Sequence, residues 1–156
     1  MKVEYINPFL TSVNTAFETL IDILPLQEAL FIKQQAVAGG DVTGIIGFVE
    51  KKVSGSVAIS FPLDTALLIH NLMLGETVNR LTPGVQDTVG EIANIIAGGA
   101  KTEFAGMGLS FHISIPTIVA GKNHSINHNV GLPTVVIPFK LHDHHFTLEV
   151  CMKVEE

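Results

Sequence analysis

The sequence predicts an α/β fold of the α+β type: a largely antiparallel sheet packed by two long helices related by a pseudo-two-fold, plus a shorter helix. Three observations predict it. Helix, strand and hairpin patterns occur twice, in the same order, along the 156 residues. Asn7-Pro8 and Thr82-Pro83 open the two halves, roughly 75 residues apart. β-rich hairpins at 44–61 and 134–150 occupy matching places in each half. The expected organisation is therefore a single domain, 1–156, built from two degenerate halves of about 1–75 and 76–156.

Each element follows from local chemistry. Residues 1–5 alternate weakly and suggest a short strand. Asn7 is placed to cap a helix over 8–24, with Pro8 in its first turn and Phe9, Val13, Phe17, Leu20 and Ile21 facing inward. A strand is expected at 33–38, then a turn at Gly39-Gly40-Asp41. Residues 43–50 and 56–61 read as a hairpin joined by the polar link 51–55. A shorter helix is expected over 62–74, with Asp64 near its start and Gly75 at its end. The longest helix, 83–105, is capped by Thr82, starts with Pro83 and carries Lys101 near its C-terminal end. Residues 109–120 are β-like with Pro116 inside, 121–131 loop-like, and 135–141 and 146–152 form a last hairpin around His142-Asp143-His144-His145.

Composition narrows the function classes. Charged residues make up only 15% of the chain and apolar residues 47%, for a net charge of −6. A soluble domain averages about 25% charged residues. So little polar surface favours a homo-oligomer, with residues 43–48 and the final hairpin as candidate pairing edges. The negative charge, without a Lys/Arg cluster, argues against nucleic acid. No apolar run approaches the roughly 18 residues of a membrane helix, and residues 1–5 do not read as a secretion signal. A lone cysteine, Cys151, fits a reducing cytoplasm and reads as a buried thiol in the last strand.

One strip of the longest helix has no stabilising purpose. Asp87, Glu91 and Asn94 fall within about 60° of helical arc. Asp87 and Glu91 are like charges at i,i+4, which costs a helix a few tenths of a kcal/mol, and Asn94 is a poor helix former. A carboxylate and a carboxamide one turn apart can place a water, accept a proton or pair with a partner's cation. Glu91 and Asn94 alone are too few ligands for a metal site, and the same spacing also suits a plain solvated face. In the first half, Ala16 and Thr19 stand where Glu91 and Asn94 stand in the second, so only one half carries the strip.

The longer pattern resembles the signature of the CheC/CheX/FliY phosphatases of bacterial chemotaxis. It consists of Asp87-x3-Glu91-x2-Asn94 followed by Pro116, with Gly90, Ile92, Ala93, Ile95 and Ile96 around it and Ile6-Asn7-Pro8-Phe9 opening the first helix. The 21 residues between Asn94 and Pro116 are about one fewer than is usual there, consistent with a deletion around Gly106–Gly108. The single active helix makes the chain resemble CheX more than the two-site CheC. The resemblance implies hydrolysis of the aspartyl phosphate on a CheY-like receiver domain in chemotaxis or two-component signalling. Asn94 would orient the attacking water, Glu91 would pair with the receiver's active-site Lys, Asp87 would assist docking, and Pro116 would shape the neighbouring strand. Mg²⁺ is expected on the receiver and no cofactor on this chain. A cytoplasmic homodimer is implied. The alternative is a non-catalytic receiver-binding or scaffold module of the same fold.

The remaining features read as structural. His124 and His128 lie in a loop segment without a helical face, and His142, His144 and His145 surround a turn, so no metal site is expected from them. His70 and His112 read as partly buried, satisfied histidines, and Gly98-Gly99 as a point of close packing or a bend.

Overall fold

The computed structural model describes residues 2–128 and 132–155. Its helices are α1 (Asn7–Ile21), α2 (Leu63–Leu74) and α3 (Pro83–Gly106). Its strands are β1 (Leu26–Gln27), β2 (Phe31–Ile32), β3 (Val42–Glu50), β4 (Val53–Phe61), β5 (His112–Ile113), β6 (Thr117–Ala120), β7 (Val135–Leu141) and β8 (His144–Val154). They form one antiparallel sheet in the order β1-β7-β8-β4-β3-β5, with β2 also on β7 and β6 also on β3. The short strands that follow α1 therefore edge the second-half hairpin, and those that follow α3 edge the first-half hairpin.

All three helices cover one face of this sheet. Phe9, Val13 and Phe17 of α1 and Val85, Val89, Ile92, Ile96 and Phe104 of α3 meet Val57, Ile59, Ile137, Leu148 and Val150 in the main core. Aromatic pairs tie the layers: Phe9 lies edge-on to Phe104 at 5.5 Å, and Phe17 stacks on Phe146 at 4.8 Å. The two long helices approach closely. Ser12 donates its hydroxyl to the Ile96 carbonyl at 2.7 Å, and a Cβ at Gly99 would collide with that hydroxyl. Gly99 thus serves close packing, one of the two readings of the Gly98-Gly99 pair.

Several local expectations need correction. Val3–Tyr5 is a 3-10 turn, not a strand: Tyr5 N–H donates to Lys2 O and Ile6 N–H to Val3 O, so the chain enters α1 with its backbone already satisfied (Met1 lies outside the described residues). Ile6, not Asn7, occupies the cap position, and it offers no side-chain cap. α1 stops at Ile21 rather than 24, because Asp22 turns left-handed (φ 55°) and its N–H closes on Glu18 O. The hairpin loops are tighter than expected: Glu50 pairs with Val53 and Leu141 with His144, leaving two-residue loops and placing His144 and His145 within β8. β3 and the β7–β8 hairpin lie inside the sheet, so neither offers the free pairing edge expected of it. The loop expected over 121–131 is seen as far as His128, and 129–131 lie outside the described residues.

Residues 33–38 are not a sheet strand either. They lie over the second face of the sheet, where Ala38 N–H donates to His124 O and Ile126 N–H to Ala36 O. There Ala38, Ala58 and Ile126 form a small apolar cluster. A polar network completes it. Lys33 Nζ and His128 Nε2 both reach Glu149 Oε1, at 2.7 and 3.0 Å, while His128 Nδ1 bonds the Ser56 hydroxyl. His124 donates from Nδ1 to Gly121 O, and its Nε2 bonds the Thr43 hydroxyl at 2.6 Å. These two loop histidines are structural. His70, also structural, is buried against Thr88 and Glu76, whereas His112, expected to be partly buried, is exposed because β5 is an edge strand. Cys151 is buried, as its strand pattern suggests.

Burial alone would raise the Glu149 carboxyl, but the hydrogen bonds from His128 and Lys33 outweigh it and hold the group below its ordinary value. A carboxyl depressed on folding adds stability above its unfolded pKa of about 4.3, and that stability is lost as pH falls through the folded value. Glu149→Gln, which strands the Lys33 charge, should lower stability at pH 7 by about 3 kcal/mol. Urea midpoints measured from pH 7 downward should show the gap between variant and wild type closing below about pH 4.

Candidate functional site

The N-terminal end of α3 is set by Thr82, whose hydroxyl oxygen accepts from Val85 N–H at 3.2 Å, with Pro83 in the first turn. Its rotation is set by a continuous buried stripe: Val85, Val89, Ile92, Ala93, Ile96, Ala97, Ala100 and Phe104. Asp87, Glu91 and Asn94 consequently share the solvent-facing side, and all three are exposed. No described residue bonds their side chains, so the hydrogen-bonding capacity of two carboxylates and one carboxamide is unspent.

A second wall faces this strip. Pro116, expected inside a strand, instead sits in the break between β5 and β6, where its missing N–H interrupts the ladder. Ser114 anchors the break: its N–H donates to Gly47 O at 2.8 Å and its Oγ accepts from Gly47 N–H at 3.0 Å. This places Ile115, Pro116 and Ile118 opposite Gln86, Asp87, Gly90, Glu91 and Asn94, around an open groove of about 360 Å³. Gly90 forms its floor. A Cβ there would lie 3.3 Å from Ile118 Cδ1, which would have to give by a few tenths of an ångström, and in ordinary contact, 3.7 Å, with Pro116 Cγ. The structure therefore brings together all four residues singled out in the sequence. Ile115, Ile118 and Gln86 were not foreseen; a β-like apolar run gave no sign of which side chains the break would turn outward.

The groove's electrostatics define what it can accept. Asp87 and Glu91 supply two negative charges, and no lysine or arginine among the described residues lines it. A phosphate group entering alone would be repelled. An occupant must bring its own positive charge, for which Glu91 is a ready partner. Among the described residues lining the groove there is a group that can hold a water but no side-chain nucleophile of the serine, threonine or cysteine type. Two other hollows, of about 360 and 280 Å³, adjoin Lys33, but Lys33, His128 and Glu149 there already satisfy one another. The first-half positions expected to match do not share the strip's orientation: Ala16 is buried in the core where Glu91 is exposed, and Thr19 is exposed.

Known proteins share this arrangement of elements. A CheC-like superfamily protein from Shewanella sp. PV-4 is 35% identical and superposes with a TM-score of 0.92, covering 98% of this chain and 99% of that one. A chemotaxis protein CheX from Vibrio vulnificus is 36% identical with a TM-score of 0.89, covering 97% of this chain and 100% of that one. A relative named CheY-P phosphatase CheX, from Thermotoga maritima, is 28% identical over 121 residues, 73% of this chain and 76% of that protein. The family described as chemotaxis phosphatase CheX matches residues 42–140, a span that holds α3, the groove and both central hairpin strands of the first half. The chain belongs to the CheX family of chemotaxis phosphatases.

Proposed function

We propose that this protein hydrolyses the aspartyl phosphate of a CheY-like response regulator in the cytoplasm, using the α3 strip as one half of a shared active site. The observation that carries the reading is the groove itself: two unpaired carboxylates and an unpaired carboxamide, with no cation and no side-chain nucleophile of the serine, threonine or cysteine type among the described residues that line it. The Thermotoga relative's name, CheY-P phosphatase, supports the same substrate class.

In this reading Glu91 pairs with the receiver's active-site lysine and draws it from the phosphate, and Asp87 adds negative charge one turn earlier. Asn94 enters beside the acyl phosphate. Its carboxamide holds a water in line with the bond between phosphorus and the aspartyl oxygen. The water oxygen bonds to phosphorus, the aspartyl oxygen leaves as carboxylate, and the water proton passes to phosphate or solvent. The acceleration comes from positioning, as with a water-orienting Gln in GTPases. Mg²⁺ belongs to the receiver's side, since Glu91 and Asn94 make a ligand-poor pair.

The test is direct. A receiver is phosphorylated with a small-molecule phosphodonor and its loss of phosphate followed with and without this protein. Asn94→Ala should reduce the acceleration by about 100-fold while leaving affinity for the phosphorylated receiver within a few-fold. Glu91→Ala should weaken both turnover and binding, the latter by at least about tenfold. Wild-type protein that binds a phosphorylated receiver without shortening its lifetime would establish the scaffold alternative instead.

We also propose that the protein is a homodimer joined at the β1–β2 edge. Leu24, Leu26, Leu30, Phe31 and Ile32 are all exposed there, on or beside two strands that pair only with β7 among the described residues. An apolar edge with unspent backbone groups is well suited to an identical edge across a two-fold. Phe31→Glu should convert the dimer to monomer in sedimentation equilibrium at micromolar concentration without lowering the unfolding midpoint of the monomer.

A further inference from the structure

We infer that Ile115 is the apolar anchor that seats the receiver in the groove and sets which receivers are accepted. The inference rests on the proposed phosphatase reading and adds the source of its specificity.

Ile115 is 85% exposed, the highest value among the exposed large apolar side chains of the described residues. An isoleucine so placed contributes almost nothing to the core. Its position is nevertheless fixed. Pro116 restricts the residue before it to extended backbone. Ser114 is clamped to Gly47 through both its N–H and its Oγ, and its hydroxyl donates to Ile115 O at 3.1 Å. A β-branched side chain on a clamped tip loses little freedom on docking. The same groove is bordered by Ile115 on one side and by Glu91 and Asn94 on the other. A body that presents its lysine to Glu91 and its phosphate to Asn94 must therefore lie over Ile115.

Discrimination has to come from outside the polar strip. Glu91 recognises a cation and Asn94 a water beside an acyl phosphate, chemistry that any phosphorylated receiver supplies. Neither can tell one receiver from another. Ile115 can, because burying it requires a matching apolar depression beside the phosphorylation site. A receiver with a charge at that place would leave the charge desolvated and unpaired. The occupant this wall fits is thus a receiver with an apolar patch flanking its phosphoaspartate.

The experiment compares Ile115→Ser, Ile115→Asp and Ile115→Val with wild type, on a receiver that wild type dephosphorylates and on one it handles poorly. Far-UV dichroism and thermal midpoints should be unchanged, since the side chain is outside the core. Ile115→Ser should raise KM by about 10- to 100-fold with kcat within about threefold, Ile115→Asp should raise it further, and Ile115→Val should stay near wild type. The ratio of kcat/KM between the two receivers should shrink in Ile115→Ser. Asn94→Ala gives the opposite split, a lower kcat at nearly constant KM. If wild type accelerates phosphate loss and Ile115→Ser keeps its KM, the anchor is overturned and the phosphatase reading stands. If wild type binds receivers without dephosphorylating them, a loss of affinity in Ile115→Ser upholds the anchor while the phosphatase reading falls. If no receiver binds, both are overturned.

Discussion

The rotation of α3 about its own axis is the constraint on which the rest of the molecule depends. The stripe from Val85 to Phe104 must face the sheet, and it leaves the helix no other angle. Two glycines tighten that seat. At Gly44 a Cβ would lie 3.0 Å from the Ala93 methyl, and at Gly99 it would strike the Ser12 hydroxyl, so α3 sits close to β3 below and to α1 beside it. Once the buried side is fixed, Asp87, Glu91 and Asn94 can only point outward. A strip that weakens its own helix is held in shape by the opposite side of that helix. The site is therefore preorganised by apolar packing, without hydrogen bonds to its own polar groups.

This division explains how much was legible in the sequence. The strip, the helix bearing it and the Thr82 cap could be read because helical periodicity is local and α3 is long. The Asp87, Glu91, Asn94 and Pro116 constellation was legible as a pattern for the same reason. What escaped were features made by partners far apart in the chain. Residues 33–38 carry a strand-like composition, but Lys33 is drawn to Glu149, 116 positions away, and the segment lies across the sheet instead of joining it. At the start of α2, Asp64 accepts from Thr65 N–H as a first-turn acid should, but the cap on Leu63 N–H comes from Asp41, 22 residues earlier. In 109–120 the break at Pro116 could have been suspected from proline's missing N–H. Ile115's exposure could not, because it depends on the Ser114–Gly47 clamp across the sheet.

The sheet's two faces divide the remaining work. One carries the large core under the helices, and the other carries Ala38, Ala58 and Ile126 beneath a polar lid in which Lys33, His128 and Glu149 satisfy one another. A buried carboxylate needs such partners, because an isolated charge there would be several kcal/mol unfavourable. Glu91 and Asp87 represent the reverse case. They are solvated, so their charge carries no burial penalty in the free protein, and in the proposed complex it would become an attraction. Two acidic sites on one sheet scaffold thus do different jobs, and the difference is whether their counter-charge is built into the chain.

The same reasoning accounts for the sparse chemistry of the groove. In the proposed reaction an acyl phosphate is intrinsically labile, so aligning one water would give a useful gain without a nucleophile on this side. A lysine in the groove would neutralise Glu91 and compete for the partner's phosphate. Excluding cations from this side makes productive docking conditional on a partner that brings its own. Gly90 suits that arrangement geometrically, since without a side chain it lets Ile118 and Pro116 pack directly on the helix beside the strip. Under the proposed reading the acidic strip would select for charge and the apolar wall for shape. Neither suffices alone, because the strip would accept any cation and the wall any greasy surface.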